Sequence, residues 1–269
     1  MRNLSVLVVC LKVCLWSLLI VPGYLAGPAA YAQTTKLERI LFVGNSYLYY
    51  NDSLHNHVKR MVAERYPDNR ASDFEYKSAT IGGARLEHHN IEWLLTPGQI
   101  GVNRPFQAVI LQAGSHEPLN PSSKIGMLKT MVDYAAQVRK IGAEPLLYMT
   151  HAYVPPHRRA EQGMINRIRD AYLEAGVRAG ARVIPVGLAF DLSYRERPDF
   201  ALHVEFDGSH PNLRGTYLAA CVVYGALYDS DFPPLDYDYF GRLPKQEALY
   251  LQGIARQTLR DFESSFAHD

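Results

Sequence analysis

A serine, a histidine and an aspartate occur in short segments whose residue types could perform acyl transfer. Ser46 ends the segment Gly44-Asn45-Ser46, and Asp207 and His210 lie three residues apart in Asp207-Gly208-Ser209-His210-Pro211. A serine hydroxyl becomes a useful nucleophile when a histidine takes its proton, and an aspartate on the far ring nitrogen fixes the histidine tautomer. Taken singly, the first segment is also typical of a turn and the second of a helix cap or a pair of metal ligands.

A glycine pair, Gly82-Gly83, lies between these two segments in the chain. Glycine lets a backbone N–H approach a negatively charged oxygen without interference from a Cβ atom. The order of serine, glycine pair and Asp-x-x-His along the chain therefore indicates acyl-transfer chemistry more strongly than any one of the three segments.

Alternating apolar and amphipathic runs indicate the elements that must position these residues. Buried strands are predicted at Arg39–Val43, Ala108–Leu111, Pro145–Met149 and Arg182–Val186, and helices at Leu54–Tyr66, Lys124–Ile141, Glu161–Ala179, Asn212–Leu227 and Lys245–Phe262. Strands that alternate with helices of this length predict an α/β fold with a mostly parallel sheet covered on both faces. Such sheets bind ligands at the carboxyl ends of their strands, which is where the serine segment lies.

The order of motifs resembles the SGNH/GDSL hydrolase superfamily. Ile40–Ser46 resembles its first block, with Asn45 in place of the commoner aspartate, and Phe206–Asn212 resembles its fifth block. Gly83, or else Gly82, fits the glycine of the second block. The chain is also similar to a bacterial branch with a Gly-Asn-Ser start and an Asp-Gly-Ser-His-Pro finish.

The resemblance implies a three-layer, flavodoxin-like α/β/α sandwich and a role for each matching residue. It implies Ser46 as nucleophile, His210 as general base and Asp207 as the residue that orients His210. The implied oxyanion donors are the N–H of Ser46, the N–H of Gly83 and a side chain of the third block. No metal and no organic cofactor is implied.

The third block departs from the superfamily pattern, which ends in Gly-x-Asn with the asparagine as oxyanion donor. Here the sequence is Leu111-Gln112-Ala113-Gly114-Ser115, which places Gly114 where the asparagine would be. Gln112 carries the nearest amide, so we expect it to supply the third donor. Gln112→Ala would then lower kcat by about 10²–10³-fold, as loss of one preorganised donor does.

Several other polar residues near the motifs are candidates for substrate binding. Arg85 and His88 follow the second block, Tyr47 follows Ser46, and Asn45 precedes it. Tyr47 could offer an aromatic face to a sugar or be partly buried in the core, and Asn45 could brace the serine turn.

Metal binding and thiol chemistry are both disfavoured. His55 and His57 lie two apart on a predicted helix and would point to different faces, without a set of cysteines or carboxylates at ligand spacing. We therefore predict no metal site. Cys221 lies in an apolar stretch and is expected to be a core residue.

The first 32 residues have the pattern of a cleavable secretory signal. They contain two basic residues, Arg2 and Lys12, no acidic residue, and an apolar run that ends in Ala30-Tyr31-Ala32. Pro22, Gly23, Gly27 and Pro28 disfavour the alternative of a membrane anchor. We expect a signal peptide over 1–32, one hydrolase domain over 33–269, and a secreted or periplasmic protein without stable membrane insertion.

Composition narrows the class of partner. Hydrophobic residues make up 48% of the 269 residues, which favours a globular core. Lys and Arg total 28 against 27 Asp and Glu, so the chain has no net positive electrostatic field that would attract nucleic acid. We expect a small-molecule or polysaccharide ester as substrate and an exported serine esterase as function, most simply one that removes O-acetyl groups from carbohydrate.

Three alternatives stay open at this point. One is a lysophospholipase-like or thioesterase-like acyl hydrolase, which would need a long apolar cleft beside Ser46. Another is a carbohydrate-binding protein on a decayed hydrolase fold, motivated by the missing third-block asparagine. The last is acetyl transfer to another polymer instead of water.

Overall fold

Five parallel strands form the central sheet, in the order β2-β1-β3-β4-β5. The computed structural model describes residues 36–266, so the predicted signal peptide lies outside the described residues. The strands are β1 (Arg39–Gly44), β2 (Glu75–Thr80), β3 (Ala108–Leu111), β4 (Glu144–Tyr148) and β5 (Arg182–Ile184). All four pairings are parallel, so the carboxyl ends of the strands share one edge of the sheet.

Eight α-helices of the described chain cover the sheet. They are α1 (Ser46–Tyr49), α2 (Leu54–Arg65), α3 (Ile91–Leu95), α4 (Pro121–Lys140), α5 (Met164–Ala179), α6 (Val186–Glu196), α7 (Leu213–Tyr228) and α8 (Lys245–Ser264). Helices α2, α6 and α8 contact α7, whereas α3 and α5 contact α4. The result is the predicted three-layer α/β/α sandwich, and the prediction of fold class is confirmed.

The central strands are buried because helices cover both sides of the sheet. Ile40–Val43 and Ala108–Leu111 have no exposed surface, as expected for runs of apolar residues in parallel strands. Helix α7 is buried along almost its whole length between the sheet and its neighbours. It begins after Asn212, whose side chain accepts a hydrogen bond from the Gly215 N–H at 3.1 Å. This cap fixes the start of α7 three residues after His210.

Several elements differ from the sequence prediction, and helices α1, α3 and α6 were not predicted. Strand β2 was not predicted either, because Glu75–Thr80 is largely polar, as suits a strand at the edge of the sheet. The fourth predicted strand, Arg182–Val186, ends at Ile184, and α6 begins at Val186. Along residues 36–266, no helix combines the length and apolar character needed to cross a membrane.

Candidate active site

Ser46 is the first residue of α1, at the carboxyl end of β1. The preceding residue, Asn45, forms the turn: its side-chain oxygen accepts from the Tyr47 N–H at 3.1 Å, and its amide nitrogen donates to the Ala84 carbonyl at 3.1 Å. Both ends of the Asn45 side chain are thus engaged within the protein. Asn45 braces the serine turn, and its predicted role in substrate binding is corrected.

Gln112 supports the same turn from below. Its side-chain oxygen accepts from the Asn45 N–H at 2.8 Å, and its amide nitrogen donates to the Ala113 carbonyl. A Cβ at Gly44 would collide with that oxygen, so glycine is needed there for the close approach. Gln112 is 0% exposed and cannot reach a substrate. The prediction that Gln112 donates to the oxyanion is therefore corrected: it positions the nucleophile turn.

Ser46, His210 and Asp207 are in direct contact, in that order. His210 Nε2 lies 2.8 Å from Ser46 Oγ, and His210 Nδ1 lies 2.6 Å from an Asp207 carboxylate oxygen. When Nδ1–H donates to Asp207, Nε2 is left to accept the Ser46 proton. Ser46 keeps 7% of its surface exposed, and the imidazole is partly open to solvent.

Asp207 is held as a carboxylate by a dense set of hydrogen bonds. One of its oxygens accepts from the N–H groups of Ser209 at 2.8 Å and His210 at 3.0 Å, while the other faces the His210 ring. Partial desolvation acts to raise the pKa of Asp207, but these hydrogen bonds outweigh it and hold the pKa below its ordinary value. The charged form is the one that stabilises an imidazolium.

Two aromatic residues under the triad fix the position of Ser209. The Tyr47 hydroxyl lies 2.9 Å from Ser209 Oγ, and His151 donates from Nε2 to the Ser209 carbonyl at 2.9 Å. The Tyr47 and His151 rings stack with centroids 4.2 Å apart. Tyr47 is only 3% exposed, so it supports the loop that carries His210 and offers no face to a sugar, which corrects the prediction.

His151 belongs to a buried aromatic group that includes His203 and Phe190. The His151 ring stacks on Phe190 at 4.3 Å and meets His203 edge-on at 4.8 Å. Burial lowers the pKa of His151 well below its ordinary value and that of His203 to about 4. Neither ring contacts a carboxylate, so both are neutral at pH 7.

The backbone N–H groups of Ser46 and Gly83 have no hydrogen-bond partner in the described chain, and the same holds for Gly82. Gly83 is exposed with a φ of +67°, a left-handed conformation that favours glycine. The Gly114 N–H is engaged, because it donates to the buried Glu117 carboxylate at 2.6 Å. Desolvation raises the pKa of Glu117, against the opposing effect of that hydrogen bond.

The remaining predicted site residues lie on the loop after β2. Arg85 lines a cavity at the carboxyl edge of the sheet. His88 is exposed, and its Nδ1 accepts from the Arg85 N–H at 3.2 Å. Sequence reasoning considered Tyr50 only as an aromatic face for a sugar, but its ring stacks on the His210 imidazole at 4.3 Å. It missed His151, although this residue lies only three positions after the buried strand β4.

The other histidines and the cysteine serve the fold. His57 is buried, with Nε2 2.7 Å from the Asn51 carbonyl and Nδ1 3.1 Å from the Tyr237 hydroxyl. Within residues 36–266, no group of three or more His, Cys, Asp or Glu side chains is placed to hold a metal ion. Cys221 is buried in α7, as expected for a core residue.

Taken together, the site is suited to acyl transfer through a serine. It holds an alcohol against an imidazole, a carboxylate behind that imidazole, and two free N–H groups beside the alcohol. These are the parts needed to attack an ester carbonyl and to stabilise the negative charge that develops on its oxygen.

Solved structures with the same fold carry related descriptions. A protein from Slackia heliotrinireducens described as a candidate SGNH hydrolase is 25% identical, with a TM-score of 0.55 over 71% of this chain and 100% of that one. A DUF4886 family protein from Bacteroides uniformis is 18% identical, with a TM-score of 0.58 over 82% and 93%. An acetyl xylan esterase is 16% identical, with a TM-score of 0.54 over 70% and 98%.

The described residues thus share the α/β/α fold of structures described as SGNH hydrolases and esterases. This similarity agrees with the SGNH/GDSL resemblance of the sequence blocks. No protein-family model and no curated protein matches it by sequence.

Proposed function

We propose that the protein is a serine esterase that removes short acyl groups, most simply acetyl, from carbohydrate. The observation that carries the proposal is the contact chain from Ser46 Oγ through the His210 ring to the Asp207 carboxylate. The absence of the third-block asparagine does not by itself argue for a decayed site, because Ser46 and Gly83 keep free N–H groups.

The reaction proceeds in two halves. Ser46 Oγ attacks the ester carbonyl as its proton moves to His210 Nε2, and the N–H groups of Ser46 and Gly83 stabilise the resulting oxyanion. His210 returns the proton to the leaving alcohol, which departs and leaves an acyl group on Ser46. Water then attacks the acyl-enzyme with His210 as base, releasing the carboxylic acid and restoring the Ser46 hydroxyl.

The surroundings of the site favour a polar alcohol over a long acyl chain. The cavity at this edge of the sheet is lined by three arginines and a histidine, with only Leu119 and Met164 as apolar residues. A lysophospholipase or a long-chain thioesterase would need an extended apolar surface. The acetyl xylan esterase among the structural neighbours acts, by its description, on an acetylated sugar polymer, which agrees with this choice.

Covalent labelling tests the nucleophile directly. A fluorophosphonate should form one adduct on the peptide that contains Ser46, and the Ser46→Ala variant should remain unlabelled. 4-Nitrophenyl acetate should be hydrolysed by the wild-type protein and not by this variant. A folded wild-type protein that takes no label, or takes it on another residue, would contradict the proposal and favour a binding protein.

We also propose that the enzyme is exported and that residues 1–32 are removed as a signal peptide. The support is the basic start, the apolar run and the Ala30-Tyr31-Ala32 exit of the sequence. Expression of the whole chain in a bacterial host, followed by intact mass of the periplasmic fraction, should give a protein that begins at Gln33. A cytoplasmic protein that retains those residues would contradict export.

A further inference from the structure

A cavity of about 590 Å³ opens at the carboxyl edge of the sheet, and four of its nine lining residues are charged. Three loops contribute: Arg85 follows β2, His116 follows β3, and Arg159 follows β4. Arg167 and Glu161 also line it. Its volume falls within the range of about 300–1,000 Å³ that is typical of small-molecule sites.

The positive charge of this cavity is only partly neutralised by the protein. Arg159 forms no ion pair with any of residues 36–266, and Arg85 has only the exposed Glu87 at 3.4 Å. Arg167 pairs with Glu161. His116 lies close enough to both loop arginines that burial, together with the charges of Arg85 and Arg159, lowers its pKa. Two guanidinium groups thus remain available to an anion.

The loop that carries Arg85 is attached to the nucleophile turn. The Ala84 carbonyl, one residue before Arg85, accepts the hydrogen bond from the Asn45 side chain, and Asn45 precedes Ser46. Gly83, with its free N–H, comes two residues before Arg85. Gly83 and the cavity-lining Arg85 therefore lie on one short loop that is hydrogen-bonded to the nucleophile turn.

The loop that carries Arg159 is attached to the Asp207–His210 segment. The Val154 N–H donates to the Gly208 carbonyl at 2.8 Å, and the Tyr153 ring contacts His157 with centroids 3.8 Å apart. Arg159 and the catalytic imidazole are consequently held by one connected set of loops. The loops that line the cavity and the loops that carry the triad are thus connected by hydrogen bonds, although no triad residue lines the cavity itself.

We propose that this cavity binds an anionic group of the substrate, so that the ester attacked by Ser46 is the ester of an acidic sugar. The inference rests on the proposed esterase function and adds the chemical class of the alcohol. Guanidinium groups bind planar or tetrahedral oxyanions through paired hydrogen bonds, and a sugar carboxylate, sulfate or phosphate supplies such a group. A uronic acid is the form that we expect.

The kinetic test compares two esters that differ only in this charge: methyl glucuronoside and methyl glucoside, each acetylated at the same hydroxyl. Wild-type kcat/KM should favour the acid by about 10–100-fold, the range for a hydrogen bond to a charged group. Arg159→Gln should bring the ratio of the two kcat/KM values close to one. Arg195→Gln, which removes a guanidinium paired with Asp191 on α6, is the matched control and should leave the ratio as in the wild type.

A binding test separates this inference from the proposed activity, because it needs no turnover. The wild-type protein is titrated with methyl glucuronoside, methyl glucoside, a sugar sulfate, a sugar phosphate and inorganic phosphate, and binding is followed by NMR. A charged sugar that binds more tightly than the neutral one, and loses this advantage in Arg159→Gln, supports the proposal even if no ester is hydrolysed. The tightest ligand identifies the anion.

Three outcomes would overturn the anion site. In the first, the neutral and acidic sugars bind equally tightly and their esters have equal kcat/KM values. The preference for the acid could survive Arg159→Gln. Inorganic phosphate could bind as tightly as every sugar anion, which would mean that the cavity does not recognise the substrate.

Discussion

Two groups of loops meet at the carboxyl edge of the sheet and use their polar side chains differently. We call the group that carries Ser46, Asp207 and His210 the catalytic flank, and the group that carries Arg85 and Arg159 the cavity flank. On the catalytic flank each of the three functional side chains is hydrogen-bonded to another of the three. On the cavity flank Arg159 has no ion-pair partner in residues 36–266 and Arg85 has one weak, exposed partner.

The contrast separates two uses of polarity at one site. Groups that carry out proton transfer are held in place before the substrate arrives, because preorganised dipoles need no reorganisation during the reaction. Groups that recognise a ligand keep their charge unpaired until the ligand pairs with it. Changes on the catalytic flank should therefore lower kcat for every ester, and changes on the cavity flank should alter the preference among esters.

The largest effect on the catalytic flank short of removing the nucleophile is expected for Asp207→Asn. The variant keeps the shape of the side chain but loses the carboxylate that stabilises the imidazolium and fixes its tautomer. We expect kcat to fall by about 10⁴-fold, as for the equivalent change in a serine protease triad. The measurement is steady-state hydrolysis of 4-nitrophenyl acetate.

The matched control for Asp207→Asn is Asp191→Asn, which removes an exposed carboxylate of α6 that pairs with Arg195. It should leave kcat within error of the wild type. A fall of less than tenfold in Asp207→Asn would mean that Asp207 does not orient His210, and the catalytic flank would lose its defining feature.

The sequence alone predicted that Ser46, Asp207 and His210 would come together, because the signals for these residues are local. Ser46 follows a buried apolar strand, and Asp207 and His210 share one short segment with two intervening small residues. In a parallel sheet the carboxyl ends of the strands must lie together, so the residues after them are brought to one edge. Most strands and helices were predicted for the same reason, since their apolar periodicity is strong.

The rest of the site could not be predicted because its signals depend on packing. Gln112 was expected to face the substrate, but a fully buried amide that contacts the Asn45 N–H can only be found from the fold. Tyr47 resembles a surface aromatic until His151 is placed against it. Arg159 is one of many arginines in the sequence, and only the fold reveals that no carboxylate of residues 36–266 pairs with it.

Gln112→Ala tests the positioning role that replaces the oxyanion role. It would leave the Asn45 N–H without its buried acceptor, at a cost to stability of about 1–3 kcal/mol. We expect both a lower melting temperature and a lower kcat, because the turn that carries Ser46 loses its support. The measurements are thermal unfolding and hydrolysis of 4-nitrophenyl acetate on the same preparation.

The alternative for Gln112 has a different signature. A donor that acted only on the oxyanion would lower kcat and leave the melting temperature as in the wild type. Gln107→Ala is a useful comparison, because Gln107 accepts from backbone N–H groups at the opposite end of β1. It should lower the melting temperature and leave kcat unchanged.

His203→Gln tests the buried support beneath the catalytic flank. Burial lowers the pKa of His203 to about 4, below the value of about 6.5 in an unfolded chain. The unfolded state therefore binds a proton first as pH falls, so this residue stabilises the fold above about pH 6.5 and loses that contribution toward pH 4. Between pH 7 and pH 5 the free energy of unfolding of the wild type should fall by about 2 kcal/mol because of His203. In His203→Gln the fall over the same pH range should be smaller by this amount.

The control for His203 is Tyr194→Phe, which removes the hydroxyl 2.8 Å from His203 Nδ1 and keeps the imidazole. Urea unfolding at the two pH values should show a lower stability for this variant at both, with the wild-type pH dependence retained. An unchanged pH dependence in His203→Gln would mean that the ring is not buried in neutral form.

Tyr50 provides the smallest effect and the finest test of how the catalytic flank works. Its ring stacks on the His210 imidazole with centroids 4.3 Å apart and an interplanar angle of 12°, whereas the buried Tyr47 ring meets the same imidazole edge-on at 5.9 Å. An aromatic face stabilises an adjacent cation by about 0.5–1 kcal/mol at exposed sites, and His210 becomes a cation during the reaction. Tyr50→Leu should thus lower kcat by a factor of about 2–5, with KM and the melting temperature unchanged.

Tyr50→Phe keeps the ring and should retain wild-type kcat. If both variants lost activity equally, the hydroxyl and not the stacked ring would be the functional group. If Tyr50→Leu raised KM alone, Tyr50 would belong with the arginines of the cavity flank as a residue that recognises substrate.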